Sequence, residues 1–287
     1  MNRKEFLKMS GLVVAGSATW GLTGCRGKQK EQEAQDALAG VKPSTDGDFP
    51  LHDLHIHATT SLSYEEIVRR AKEAHFDYVG IMFNATRPTP ATDETLQKFL
   101  DDTSSLDCFR GMQNMRLRWT QKLSKELYEQ MDYIFMDPQV IPNGNKYSDT
   151  LEVWEHDCYV SDLDDFMDVN LKHYERVILN DEPLDVFGWP LYLPPCIGRF
   201  YDKLWTKDRL TYVVDLLKKR GLAVEINDFA HTPHEEFILM CKKAGLKFFF
   251  GSDSRDYRSF RLDYCKEMAR KCGLVESDFY KPVSRRR

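Results

Sequence analysis

The chain has 287 residues, 42% hydrophobic and 30% charged, with a mean hydropathy of −0.52. This balance excludes a multi-span membrane protein, a disordered chain and a small disulfide scaffold. Against 45 acidic side chains stand 40 basic ones, a formal charge of −5, so there is no cationic excess to hold nucleic acid, whereas a small anionic ligand needs only a few local arginines.

Residues 1–24 read as a signal peptide. A basic start with Arg3, Lys4 and Lys8 precedes an apolar run from Gly11 to Leu22, too short to span a bilayer as a mature helix. Leu22-Thr23-Gly24-Cys25 resembles a bacterial lipobox, which implies acylation of Cys25 as the new first residue. Arg3-Lys4-Glu5-Phe6-Leu7-Lys8 is similar to a twin-arginine export motif with lysine replacing one arginine. Cleavage before Cys25 takes the charge from −5 to −7, because three basic side chains leave with Glu5. The segment 25–48 has hardly any large apolar residues and reads as a tether that cannot bury a core. The expected location is the bacterial cell envelope, with the membrane reached through a lipid rather than a spanning helix. Six further cysteines (Cys108, Cys158, Cys196, Cys241, Cys265 and Cys272) show no CxxC spacing. Buried free thiols are the expectation for most of them.

From residue 49 to 287 one domain is expected. Seven short apolar runs mark strands: Leu51–His57, Tyr78–Asn84, Leu106–Gln113, Tyr133–Asp137, Asp185–Trp189, Leu222–Asn227 and Lys247–Ser252. Helical periodicity fills the stretches between them. Ser63 with Glu66 three residues on predicts an N-cap, Gly221 predicts a helix end, and Pro233 and Gly245 bracket another helix. Alternating strands and helices imply a parallel sheet, and the run Phe248-Phe249-Phe250 implies burial on both faces. An open doubly wound sheet and a closed barrel both fit. The first strand is followed by no glycine-rich turn, which disfavours a nucleotide cofactor. The irregular stretch from Pro138 to about Ser161 is expected to fold over the barrel mouth.

In a parallel barrel, function gathers where strands end. Those positions carry His55, His57, Asn84, Gln113, Asp137, Trp189, Glu225, Asn227, Asp253 and Arg255. His55 and His57 share a strand face because side chains repeat every second residue. Asp253 follows the last strand, which neighbours the first in a closed barrel. Two imidazoles and a carboxylate suit one divalent transition metal, zinc, manganese or iron. Asp53, Asn84, Glu225, Asn227 and Trp189 are expected around that set, with Glu225 and Asn227 as partners that orient a histidine. His231 and His234 are expected only at the rim.

Asp53-Leu54-His55-Ile56-His57, Gly221-Leu222-Ala223-Val224-Glu225-Ile226-Asn227 and Gly251-Ser252-Asp253-Ser254 together resemble the polymerase and histidinol phosphatase (PHP) superfamily. The resemblance covers residues 50 to about 272. It implies a distorted (β/α)7 TIM-like barrel, in agreement with the seven strands, and a phosphoester hydrolase with up to three metals. Several of the ligands that the resemblance implies are replaced. Met82-Phe83-Asn84 stands for a Thr-Asp-His, Gln113 for a bridging glutamate, Asp137 or Gln139 for a loop histidine, Trp189 for the histidine of Gly-His-Pro, and Arg255 for a final histidine. Gln113 lacks the bridging charge, and Arg255 at about 5 Å would repel a divalent ion by roughly 6 kcal/mol at an effective dielectric near 20. Two of the three implied metal positions are therefore expected to be empty. A single metal on His55, His57 and Asp253, with or without Gln113, is what the sequence leaves room for.

Three readings follow. The first is a mononuclear phosphoester hydrolase with Asp253 or a nearby acid as general base and Arg255 in the catalytic set. The second is an inactive barrel that binds a phosphorylated or carboxylated ligand or a partner, with Arg255, alone or joined by Arg87, Arg116 or Arg118, holding the anion. The third is an amidohydrolase-type metal hydrolase, which Asp137 and Trp189 oppose by standing near the places of two further histidines.

Overall fold

A computed structural model describes residues 49–86, 91–142, 150–256 and 260–285. The signal peptide, Cys25, the tether and Arg87 lie outside the described residues. Seven parallel strands form the sheet: β1 (His52–Ile56), β2 (Tyr78–Asn84), β3 (Phe109–Asn114), β4 (Tyr133–Met136), β7 (Val186–Phe187), β8 (Ala223–Asn227) and β9 (Phe248–Gly251), paired in that order. All seven coincide with the strands expected from the sequence. Within the long stretch after β4, β5 (Val140–Pro142) and β6 (Thr150–Glu152) pair antiparallel. Helices α1 (Tyr64–Glu73), α2 (Asp93–Asp102), α3 (Lys125–Tyr128), α4 (Leu163–Ile178), α5 (Tyr201–Leu204), α6 (Lys207–Arg220), α7 (Glu235–Lys243) and α8 (Asp263–Lys271) follow the strands. Among the described residues no helix is long and apolar enough to cross a membrane.

The caps follow from local chemistry. Ser63 Oγ accepts from the Glu66 amide, satisfying one orphan donor of α1. Ser63→Ala should cost about 1 kcal/mol in a denaturant titration, and an unchanged midpoint would assign this end of α1 to packing alone. Gly221 closes α6 at φ 74°, a conformation that a Cβ disfavours. Pro233 lies two residues before the first helical position rather than occupying it. His234 is the N-cap of α7, because the helical dihedrals begin only at Glu235.

The sheet closes into a barrel by a mixed route. At the upper end, β1 and the residues after β9 pair through backbone: His57 N donates to Ser254 O at 2.8 Å, and Ser254 N to His55 O at 3.3 Å. Lower down, side chains replace carbonyls. His52 Nε2 accepts from Phe250 N at 3.1 Å, and Asp53 Oδ1 accepts from Ser252 N at 3.0 Å. His52 acts as a neutral acceptor: burial pushes it down to about 3, and its Nδ1–H donates to Pro50 O at 2.8 Å.

Strand periodicity separates two apolar layers. Phe248 and Phe250 lie under the helices, while Phe249 joins Leu54, Met82, Tyr133, Phe135 and Val186 inside the barrel. Strand β1 breaks this period. Leu54 belongs to the inner cluster and Ile56 to an outer one, and the β1–β2 register shifts between Asp53 and Ile56. A bulge of this kind re-aims a side chain, and here it leaves His55 against the inner Phe135 ring, at 4.6 Å.

Candidate metal centre

The register shift and the β9 turn bring the two histidines and Asp253 together at the upper mouth of the barrel. His55 Nε2 lies 3.1 Å from His57 Nε2. Asp253 Oδ1 is 3.3 Å from each. The three side chains form a group able to hold one cation, with ligand atoms within 4.8 Å of one another. Metal–ligand bonds of about 2.1 Å at tetrahedral angles place neighbouring ligand atoms about 3.4 Å apart, so this triangle fits a single ion. Asp253 reaches it from a left-handed backbone conformation, φ 49°. It caps no helix, since α8 has Leu262 at its N-cap.

Glu225, fully buried on β8, bonds His55 Nδ1 through Oε1 at 2.6 Å. Its other oxygen accepts from the Trp189 amide at 2.7 Å. A carboxylate on Nδ1 fixes the imidazole tautomer that presents Nε2 as a ligand. Asn84 Nδ2 lies 3.3 Å from His57 Nδ1; turning the amide over, so that its oxygen faces that nitrogen, would leave His57 with a free Nε2 lone pair. Gly251 permits the approach: a Cβ there would stand 2.1 Å from Glu225 Oε1 and 2.8 Å from the His55 Cβ. Glu225→Gln should weaken zinc binding about 10- to 100-fold in a competition titration with a chromophoric chelator. Unchanged affinity would show that the tautomer is fixed without it.

Charge in the site is strongly coupled. Burial opposes a proton on His55, but Glu225 and Asp253 outweigh it and hold the imidazole up at about 9. His57, with less help, is pushed down by burial to about 4. Burial acts to raise the Asp253 carboxyl, yet His55, Arg255 and His57 hold it well below the ordinary range. Asp137, at the end of β4, is pushed up by burial to about 7.

The remaining expected residues spread around this centre. Gln113 Nε2 donates to Asp137 Oδ2 at 3.0 Å. Asp53 clamps β1 to β9, its Oδ1 accepting from His55 N as well as Ser252 N. Asn227 Oδ1 accepts from Ala230 N and so shapes the turn after β8. Trp189 supplies its backbone amide, and its ring packs on Tyr192 and Phe229. Arg255 Nη1 binds Asp253 Oδ1, the same oxygen that faces the histidines, with its side chain 52% exposed. Arg116 pairs with Glu152 at 3.8 Å, and Arg118 N donates to Glu182. His231 stacks on Tyr264, and His234 bonds the Tyr201 hydroxyl. Trp189 Nε1 and Gln139 Nε2 are buried donors without a hydrogen-bond partner. Sequence reasoning missed the roles of Gly251 and Phe135. The glycine of Gly-Ser-Asp was the signal, because a glycine inside a strand pattern marks a close approach.

No protein-family model matches the chain, and no curated protein matches it. Among solved structures, a histidinol phosphate phosphatase from Lactococcus lactis, complexed with zinc, L-histidinol and phosphate, is similar in fold. Its TM-score is 0.58 at 15% identity, with 83% of this chain and 98% of that one covered. An HpcH/HpaI aldolase from Desulfitobacterium hafniense gives 0.38 at 8% identity, over 81% and 94%. The fold is thus an α/β TIM-like barrel of the kind seen in that phosphatase.

Proposed function

We propose that the chain is a metal-dependent, phosphoesterase-like hydrolase with a mononuclear site, carried on an exported lipoprotein of the bacterial envelope and anchored through Cys25. The observation that carries this reading is the convergence of His55, His57 and Asp253 at the barrel mouth. The fold likeness to a phosphatase complexed with zinc and phosphate supports it.

A divalent ion held by these three residues supplies a Lewis-acid centre that neutralises charge on an anionic substrate. Glu225 fixes the direction of His55, and Asn84 that of His57. Asp137, whose carboxyl burial pushes up to about 7 beside His55, Asp253 and Glu225, is an acid able to hold and release a proton at neutral pH. Arg255, half exposed beside Asp253, is placed to hold an anionic oxygen.

The test is phosphate release from p-nitrophenyl phosphate and histidinol phosphate with zinc, manganese or iron added. Turnover should require metal and fall at least 100-fold in Asp253→Asn, in the range that loss of a metal-held catalytic group produces. Metal-loaded protein that releases no phosphate from either ester would retire the catalytic reading. One observation favours a second reading, an inactive barrel that binds an anion: the Arg255 guanidinium already occupies the Asp253 oxygen that a metal needs. In that case Arg255→Ala abolishes phosphate binding and no metal is retained.

A further inference from the structure

The guanidinium of Arg255 and a metal ion would contend for one atom. Asp253 Oδ1 stands 3.3 Å from both His55 Nε2 and His57 Nε2, and Arg255 Nη1 donates to that same oxygen. Nη1 also donates to the Asp253 carbonyl at 3.2 Å, so one side chain grips two acceptors of the residue two positions back. A cation about 2.1 Å from Oδ1 stands no more than about 5 Å from Nη1 while that grip lasts, and like charges at this range repel strongly on a buried carboxylate. The grip and a bound metal are therefore alternatives.

The surrounding backbone fixes the root of Arg255 and leaves its end to turn. Ser254 is joined to β1 on both sides, its N donating to His55 O at 3.3 Å and its O accepting from His57 N at 2.8 Å. Arg255 O accepts from Thr59 Oγ1 at 3.2 Å. These bonds hold the Arg255 backbone beside the two histidines. The side chain is 52% exposed, against 7% for Asp253, and among the described residues its hydrogen bonds run to Asp253. Rotated off Asp253, it stays at the barrel mouth with its planar fork open to an anionic oxygen.

We propose that Arg255 couples metal binding to anion binding: it holds Asp253 in the metal-free protein and turns to a phosphate oxygen of the ligand when a divalent ion takes Asp253. This rests on the metal-centre reading above and extends it to the linkage between the two ligands. Metal binding costs the contact of Arg255 with Asp253, and the anion gains the guanidinium only in loaded protein. Each ligand then strengthens the other by the same factor, as reciprocity requires, and Arg255 carries part of that factor.

The test compares the full chain with Arg255→Ala, and with Arg255→Gln should the alanine variant fail to fold. Zinc affinity is read by competition with a chromophoric chelator, and inorganic phosphate affinity by calorimetry on zinc-free and zinc-loaded protein. Removing the competing cation should tighten zinc binding about 10-fold, the effect of one charge-assisted hydrogen bond. The same change should weaken phosphate binding to zinc-loaded protein about 10-fold and leave zinc-free protein within about 2-fold of wild type. Zinc held by the variant alone also supports the competition. Equal zinc affinity, or phosphate binding to loaded protein that ignores the substitution, overturns the coupling and leaves the metal centre standing. Phosphate binding that needs Arg255 in zinc-free protein overturns it too, in favour of the anion-binding barrel. Zinc held by neither protein overturns the metal-centre reading, and the coupling falls with it.

Discussion

Purified without chelator, the protein should carry about one equivalent of zinc, manganese or iron, and His55→Ala/His57→Ala should carry none. Three ligand atoms 3.1 to 3.3 Å apart match the edges of one tetrahedral site. A second ion would need a bridging carboxylate, and the residue that the sequence resemblance sets in that place, Gln113, is neutral and turns its amide to Asp137. Charge points the same way. A proton on His55 and a divalent cation are competing ways of compensating Glu225 and Asp253, so metal uptake near pH 8 should release about one proton, measurable in weakly buffered solution. The opposing force is Arg255, whose guanidinium shares Asp253 Oδ1 and would repel a cation there unless its half-exposed side chain swings away. Metal analysis by mass spectrometry decides between them. Folded wild-type protein that holds no metal, even after incubation with each ion, would end the hydrolase reading and leave the anion-binding barrel.

Gly188→Ala should lower the Tm by about 6–12 °C, as a loss of about 3 kcal/mol does in a domain of this size. An added Cβ would stand 1.9 Å from Phe135 Cζ and 2.3 Å from its Cε1. The ring has nowhere to retreat, since it is fully buried with His55 at 4.6 Å on one side and Phe249 at 6.0 Å on another. Any displacement of Phe135 moves His55, so metal affinity should fall along with stability. Gly198→Ala is the control, because a methyl there meets nothing within 4 Å, and its Tm should stay within about 1 °C of wild type. Equal Tm values for the two variants would show that the barrel interior yields where it is described as packed.

Much of the architecture was legible in the sequence because its signals are local. Seven apolar runs bounded by turn residues gave seven strands, and Ser63 and Gly221 cap helices through contacts made within a few residues. The pairing of His55 with His57 on one face also followed from strand periodicity. The β1 irregularity did not: alternation would put Leu54 and Ile56 on the same side, and they lie in different clusters. No residue pattern within β1 announces a register shift, which depends on how β1 meets β2 and β9.

The partners of the site were the less legible part. Glu225, Asn84 and Arg255 were expected near the histidines from their positions at strand ends. Which atom each would touch depends on distances across the barrel. Arg255 turns out to bind Asp253, two residues away, through a left-handed turn that the letters Ser-Asp-Ser-Arg do not encode. Asp137 and Gln113 satisfy one another across neighbouring strands, so the register of β3 on β4 decides what Gln113 does. By itself the sequence determined the strand–helix alternation, the caps and the set of chemically capable residues, because propensity, periodicity and residue type act over a few positions. The tertiary structure alone decided barrel closure through His52 and Asp53, and the meeting of His55 and His57 with Asp253, because each joins groups that only the folded chain brings within a few ångströms.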